Sequence, residues 1–363
     1  MKSILWLKVM FILTALFLAV VTGFNFYVDT YGVRLSLFSA KKELGRIEAV
    51  ESINQHIFNP EYIFRNPNRF DSFIFGSSRA MLIDPKKITT GNYYNMSYTL
   101  GMLQHHVPIL RTFIKRGIKI KTVIIALDEI CFERDAAKHE YHLIRIMHPS
   151  VTGRSLFDIF FTYYFRFPQR FELSNGLKKL FNKQQEKKFL LSERGLILSF
   201  LKREKLIEQY GITFIETEIT RYSPKFFKEE IENEALSLIK ELTVMAKKND
   251  FELIIFFNPL YKNQYIEYAE ALFSIKRKIA SLTDYYDFSG LNSVTLDNLK
   301  YYDKDSHYRY LVGDMIIKKI TGCGDARVPD DFGVLVTSKN AAGHIRKQKK
   351  ELEEYKKRFL GGE

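Results

Sequence analysis

The chain has 363 residues, 46% of them hydrophobic and 15% aromatic, and a formal net charge of +13. That is enough length and apolar mass for one large domain or two small ones, and it excludes a disordered chain. The positive charge comes without a zinc finger, an RNP-like sequence or a basic heptad helix, so nucleic acid is not an expected partner.

From Val9 to Val28 there are twenty residues without a charge, matching the ~20 needed to cross a ~30 Å hydrocarbon layer. Lys2 and Lys8 precede the run and Asp29 follows it. Basic flanks favour the cytoplasmic side. The expected layout is therefore a cytoplasmic N-terminus (1–8), a single transmembrane anchor (9–28) in a cytoplasmic or inner membrane, and everything after it outside the cytoplasm. The rival reading is a cleaved signal peptide; the run is long for one, and no clean small-x-small site follows Val21. Outside the cytoplasm Cys131 and Cys323 have the chance to pair, and their spacing fits no zinc pattern. The net charge there suits solubility, anionic lipid head groups or an anionic glycan.

Residues 29–66 read as a connector carrying Lys41, Lys42, Glu43, Arg46 and Glu48. The turn Asn66-Pro67-Asn68-Arg69 opens the main domain, 67–325. Apolar runs at 70–75, 92–96, 121–127, 251–257 and 285–288 have strand length, and their continuous apolar character suits strands buried on both faces of a parallel sheet. Helical patterns lie between them at 103–116, 228–248, 266–280 and 310–320. The clearest carries Ile231, Ala235, Leu238, Leu242 and Met245 on one face. The alternation predicts an α/β three-layer sandwich around a central parallel sheet. A mainly helical insertion at about 130–227 interrupts it. Its aromatic run, 157–167, reads as a lid or subdomain on the core, or as an interfacial segment touching lipid or an acyl chain. Residues 326–363 read as a charged tail, in which 341–359 is a highly charged helix with a thin apolar stripe, a solvated helix or a flexible end.

Two short blocks carry the chemistry. Phe73-Ile74-Phe75-Gly76-Ser77-Ser78-Arg79 puts a serine where the first strand stops; Tyr301-Tyr302-Asp303-Lys304-Asp305-Ser306-His307-Tyr308 comes late. Ligands of an open parallel sheet bind beyond the carboxyl ends of its strands. A serine there is a weak nucleophile until a base takes its proton, and a His base needs an acid to hold its tautomer. Asp128, just past a central strand, reads as positioning substrate or orienting Arg79, or as a loop carboxylate. A phosphate site at the Gly-Ser-Ser turn lacks a Walker lysine. His105 and His106 are adjacent and project differently, so no metal site is expected, and no cofactor is called for.

The Phe-Gly-Ser-Ser-Arg block, Asn95-Met96-Ser97, Leu127-Asp128-Glu129 and Asp-Ser-His-Tyr with Gly313 downstream resemble the SGNH (GDSL-type) hydrolase superfamily, over roughly residues 66–320. The closer resemblance is to its membrane-anchored branch, which includes alginate O-acetylation proteins and the D-alanyl-transfer protein of teichoic acids. Asn25-Phe26-Tyr27-Val28-Asp29 also resembles that branch. The resemblance implies Ser78 as nucleophile, with Ser77 as the fallback, and His307 as base. The family's last block is Asp-x-x-His, yet Lys304 stands three before His307; Asp305 is the preferred acid and Asp303 the alternative. It implies oxyanion or substrate roles for Asn95, Gly101 and Asn258, with Arg79 and Asp128 nearby. Asp128 stands where the family offers Asn, and an ionised carboxylate cannot donate a hydrogen bond. The implied function is a serine acyltransferase or esterase acting on O-acyl groups of a cell-envelope glycan, with a membrane-bound acyl-donor partner. The alternative is a non-catalytic envelope protein that binds glycan or assembles a modification complex.

Overall fold

The computed structural model describes residues 2–39, 47–49, 53–136, 143–181, 189–211 and 224–359. The connector charges expected at 41–46 lie outside these residues, as do parts of the expected insertion. The chain forms two compact units: Met1–Arg65 with His139–Leu190, and Asn66–Lys138 with Leu191–Glu363.

The first unit is helical. Helix α1 (Lys2–Val28) is long and apolar enough to be a membrane anchor or a signal sequence. Its apolar side chains are exposed over most of its length, and only its last turns pack. The Asn25 amide donates to the Tyr164 and Arg166 carbonyls at 3.0 and 2.7 Å. These belong to the C-terminal end of α7 (Leu156–Tyr164) and the residues after it, where a helix leaves carbonyls without intrahelical partners. Asp29 caps α2 (Val33–Leu37) through the Arg34 and Leu35 N–H groups, and accepts the Tyr164 hydroxyl at 2.9 Å. Helix α3 (Gln55–Arg65) completes the N-terminal part. A core of Val33, Ile57, Ile146, Ile159, Tyr163 and Tyr164 joins the two segments. The stretch expected as a connector is thus largely folded: Asn54 alone bonds the Leu143 and Ile146 carbonyls and the Tyr163 hydroxyl. Helix α8 (Arg170–Leu180) lies so close to α1 that a Cβ on Gly176 would meet the Phe24 ring at 2.2 Å.

The second unit is α/β with a mostly parallel six-stranded sheet. Strands β1 (Ile47–Ala49) and β5 (Phe189–Leu191) form a separate two-stranded sheet. The main sheet holds β2 (Ser72–Phe75), β3 (Tyr93–Asn95), β4 (Thr122–Leu127), β6 (Glu252–Phe257), β7 (Tyr285–Asp287) and β8 (Val334–Val336), in the order β3-β2-β4-β6-β7-β8. The first five are parallel, and β8 runs antiparallel to β7. Every residue of β2, β3 and β4 is buried, as continuous apolar strands covered on both faces require.

Helices α4 (Leu103–Lys115), α10 (Glu229–Asn249) and α11 (Lys262–Ala280) pack side by side. Helix α12 (Tyr310–Thr321) packs against the 3-10 turn Ala80–Leu82 that follows β2. Right-handed crossovers put the three former helices on one face of the sheet and the Ala80–Leu82 turn of the β2-to-β3 crossover, with α12 against it, on the other. The chain leaves β2 for β3 on one side, then returns past it to β4. The crevice at the carboxyl ends of β2 and β4 is therefore the switch point where open α/β sheets bind ligands.

The expected charged tail is instead part of this unit. β8 adds the edge strand, and α13 (Ala341–Phe359) docks on α11 with Ala341, Ile345, Gln348 and Leu352 buried. Beneath it Lys276 and Asp287, both with fully buried side chains, pair at 2.7 Å. Lys276 also donates to Ser289 and Gln348, while His344 and Gln348 meet Asp287. Burial disfavours the Asp287 charge, but Lys276 and His344 outweigh it and hold the carboxyl well below its usual range. The apolar stripe that looked thin in sequence suffices because a polar network supplements it.

Candidate active site at the switch point

Ser77, Ser78 and Arg79 follow β2 directly, and Asp128 and Glu129 follow β4. Ser78 and His307, 229 residues apart, come together: Ser78 Oγ lies 2.9 Å from His307 Nε2. On the other side of the ring, His307 Nδ1 lies 2.9 and 3.1 Å from the two Asp303 carboxylate oxygens. Both Ser78 and His307 are half-buried, so the relay is reachable from solvent.

The carboxylate against the His307 ring is that of Asp303, not that of the preferred Asp305. Tyr301 and Tyr308 form an antiparallel bridge, and Tyr302 N–H donates to the His307 carbonyl at 2.7 Å, closing a tight loop. Ser306 sits in the left-handed region at φ 66°, steadied by its hydroxyl, which accepts from Tyr261 N–H and donates to Gln264. Within that loop the Asp303 carboxylate folds back to accept the Asp305 and His307 N–H groups, an Asx-type turn. This carries it to Nδ1, whereas the Asp305 side chain is exposed. Burial would raise the Asp303 pKa, but the His307 hydrogen bond and charge, helped by Arg203 at 3.5 Å, bring it below the ordinary value.

Beneath the relay lies a buried ionic cluster. Arg79, 4% exposed, bonds Glu129 with two parallel N–H groups at 2.7 and 2.8 Å, and lies 3.2 Å from Asp128. It also donates twice, at 3.3 Å, to the Asp305 carbonyl. One guanidinium thus ties the serine turn and the β4 end to the histidine loop. Burial alone would disfavour its charge; Glu129 and Asp128 outweigh that. Burial raises Asp128 to about 6, against the pull of Arg79. The hydroxyl of Ser77, the fallback, is engaged elsewhere: it donates to Asp128 at 2.6 Å.

The three residues expected as oxyanion donors are otherwise engaged. The Asn95 amide donates to the Ala80 and Ile83 carbonyls and so braces the turn after Ser78. Asn258 reaches Asp128 at 3.4 Å and accepts the Tyr308 hydroxyl. Gly101 N–H donates to Tyr98. Gly101 is needed for space instead, since a Cβ there would fall 2.0 Å from the Gly76 carbonyl oxygen. The Ser78 N–H makes no hydrogen bond among the described residues.

No protein-family model, curated protein or solved structure matches this chain. The site is therefore read from its own geometry. Among the described residues no group of His, Cys, Asp or Glu could hold a metal ion. His106 is fully buried against Phe75 and Tyr98, and burial, helped by His105, pushes its pKa well down. Cys131 and Cys323 are both free thiols, so the chance of pairing is not taken.

Several contributors escaped the sequence. Gln264, at the start of α11, donates to Glu129 at 2.6 Å and receives Ser306. Phe200 stacks on Tyr302 and lies 5.6 Å from the His307 ring. Glu204 takes the Tyr302 hydroxyl and the Arg309 guanidinium. None carries a local motif; only the tertiary fold brings them to the loop.

Proposed function

We propose that the chain is a membrane-anchored serine acyltransferase or esterase acting on O-acyl groups of a cell-envelope polysaccharide. The observation that carries this reading is the Ser78–His307–Asp303 relay, with both ring nitrogens of His307 at hydrogen-bond distance. The sequence resemblance to the membrane-anchored SGNH branch supports the choice of substrate class and of a membrane-bound acyl donor as partner. The anchor reading is favoured over a cleaved signal because Asn25 and Asp29, at the end of the apolar helix, are tied into the helical unit.

In the proposed reaction Ser78 Oγ attacks the acyl carbonyl carbon while its proton passes to His307 Nε2. Asp303 holds Nδ1–H and stabilises the imidazolium. The Ser78 N–H serves the developing oxyanion. When the tetrahedral adduct collapses, the leaving alkoxide takes the proton from His307 and the acyl group stays on Ser78. A sugar hydroxyl or water then gives its proton to His307 and attacks the acyl-serine carbon; the C–Oγ bond breaks and Ser78 Oγ takes that proton back from His307.

The test is turnover of a chromogenic acetyl ester by the full-length protein in detergent, with Ser78→Ala and His307→Ala alongside, and the mass of the Ser78 peptide. Loss of turnover in both variants and an acetyl adduct on Ser78 are expected. Absence of both turnover and adduct in folded protein would sink the reading. It would leave the non-catalytic one, which the engagement of Asn95, Asn258 and Gly101 elsewhere favours.

A further inference from the structure

We infer that helices α7 and α8 form a second membrane contact, a platform lying in the outer interfacial layer of the bilayer beside the point where α1 leaves it. This rests on α1 being the retained anchor proposed above.

The two helices are well built, not frayed. Ser155 caps α7 through the Asp158 N–H, and α8 starts in a reciprocal Gln169–Glu172 capping box. One face of α7 is spent on the core through Ile159, Tyr163 and Tyr164. Another carries Phe157, Phe161 and Phe165 one turn apart, with successive ring centroids 4.5 and 4.9 Å apart. All three are exposed, Phe157 by 71%. Phe167 in the connecting loop is exposed by 70%, and Phe181, just past α8, by 71%. A row of open phenylalanines is not what a water-facing surface carries.

Continuity with the anchor identifies the occupant as lipid. Phe167 lies 6.1 Å from Phe17 on the exposed part of α1. Phe17 precedes the end of α1 by about 16 Å at 1.5 Å per residue. Phe17 lies within the uncharged run of α1, so the aromatic loop beside it reaches acyl chains when α1 spans, while α7 and α8 lie nearer the helix exit. Beside the aromatic row, Arg154, Asp158 and Thr162 are linked by hydrogen bonds along one polar edge of α7, suited to head groups. Lys179 of α8 donates to the last α1 carbonyls, of Tyr27 and Val28, and so holds the platform at the helix exit.

The test uses the full chain, one copy per lipid nanodisc, on a Trp6→Phe background, because Trp6 is the one tryptophan. Single tryptophans replace Phe157, Phe167 or Phe181, with Phe11→Trp reporting the anchor and Leu335→Trp, on the edge strand of the sheet, as the aqueous control. Lipids brominated on the acyl chain are the quencher. The platform probes are expected to lose more than about half of their emission and to shift blue, as buried interfacial aromatics do, with Leu335→Trp unchanged. If Phe11→Trp is quenched while all three platform probes match the control, the platform is overturned and the anchor stands. If Phe11→Trp is also unquenched, the anchor reading itself fails. If the platform probes are unquenched in one-copy discs but shift blue when two copies share a disc, the face is assigned to a second copy and the lipid assignment is overturned.

Discussion

At the residue scale, the acid that completes the relay is the sharpest point. Asp303→Asn keeps the loop geometry but offers His307 the wrong partner, so acetyl-ester turnover should fall by about 10³–10⁴-fold. Asp305→Asn should leave turnover within about threefold, because only the Asp305 backbone is used. Equal losses in the two variants would contradict the Asx-turn placement. Sequence made Ser78 and His307 legible because each follows an apolar run and the two arrive in the right order. It put Asp305 ahead of Asp303, whereas the contact with His307 depends on a left-handed Ser306 and a carboxylate folding back on its own loop. Asp128 gives a pH signature. Its pKa of about 6 lies above the ordinary 3.8, so the folded state binds its proton more tightly than the unfolded state. The stabilisation is full below about pH 4 and is lost as pH rises through 6. Urea midpoints of wild type and Asp128→Asn should diverge across that window; parallel curves would show that Asp128 does not titrate there.

At the scale of elements, strands and the long helices were readable because their signals are local. The helix expected at 228–248 is Glu229–Asn249, ended by Asp250 in the left-handed region. Ile231, Ala235 and Leu242 are buried as the pattern implied, and Ile239 and Ala246 share the buried face. Helix α13 has the expected bounds, but its docking was not legible, because its hold on the core is largely polar and a buried lysine looks like any other lysine in sequence. Lys276→Ala would strand Asp287 under α13 and should cost about 3–5 kcal/mol. Lys276→Met, which fills the space between the Phe257 and Tyr265 rings, should lose less than Lys276→Ala. Denaturant titration of the two variants checks the order. A Lys276→Ala loss under about 1 kcal/mol would mean that the pair contributes little.

At the scale of the molecule, the division into two units was only half visible. A break in the strand–helix rhythm marked the insertion, but nothing local says that 139–190 folds with the first 65 residues. That partnership rests on contacts such as Asn54 with Leu143 and Asn25 with Tyr164, which join segments of no shared pattern. Each unit has its own apolar core, which is the condition for separate cooperative opening. Ile159→Ala removes a fully buried side chain from the helical unit and should cost about 2–5 kcal/mol there. Hydrogen exchange should quicken in α2, α3 and α7 while β2 and β4 keep their protection; loss of protection in both units would mean that they open as one.

The 229 residues between Ser78 and His307 also set a clock. At about 5–20 residues per second of synthesis, the histidine follows the serine by roughly 10–50 s. A nascent chain carries an inert hydroxyl all that while. Only a chain whose synthesis has passed His307 can hold both halves of the hydrogen bond.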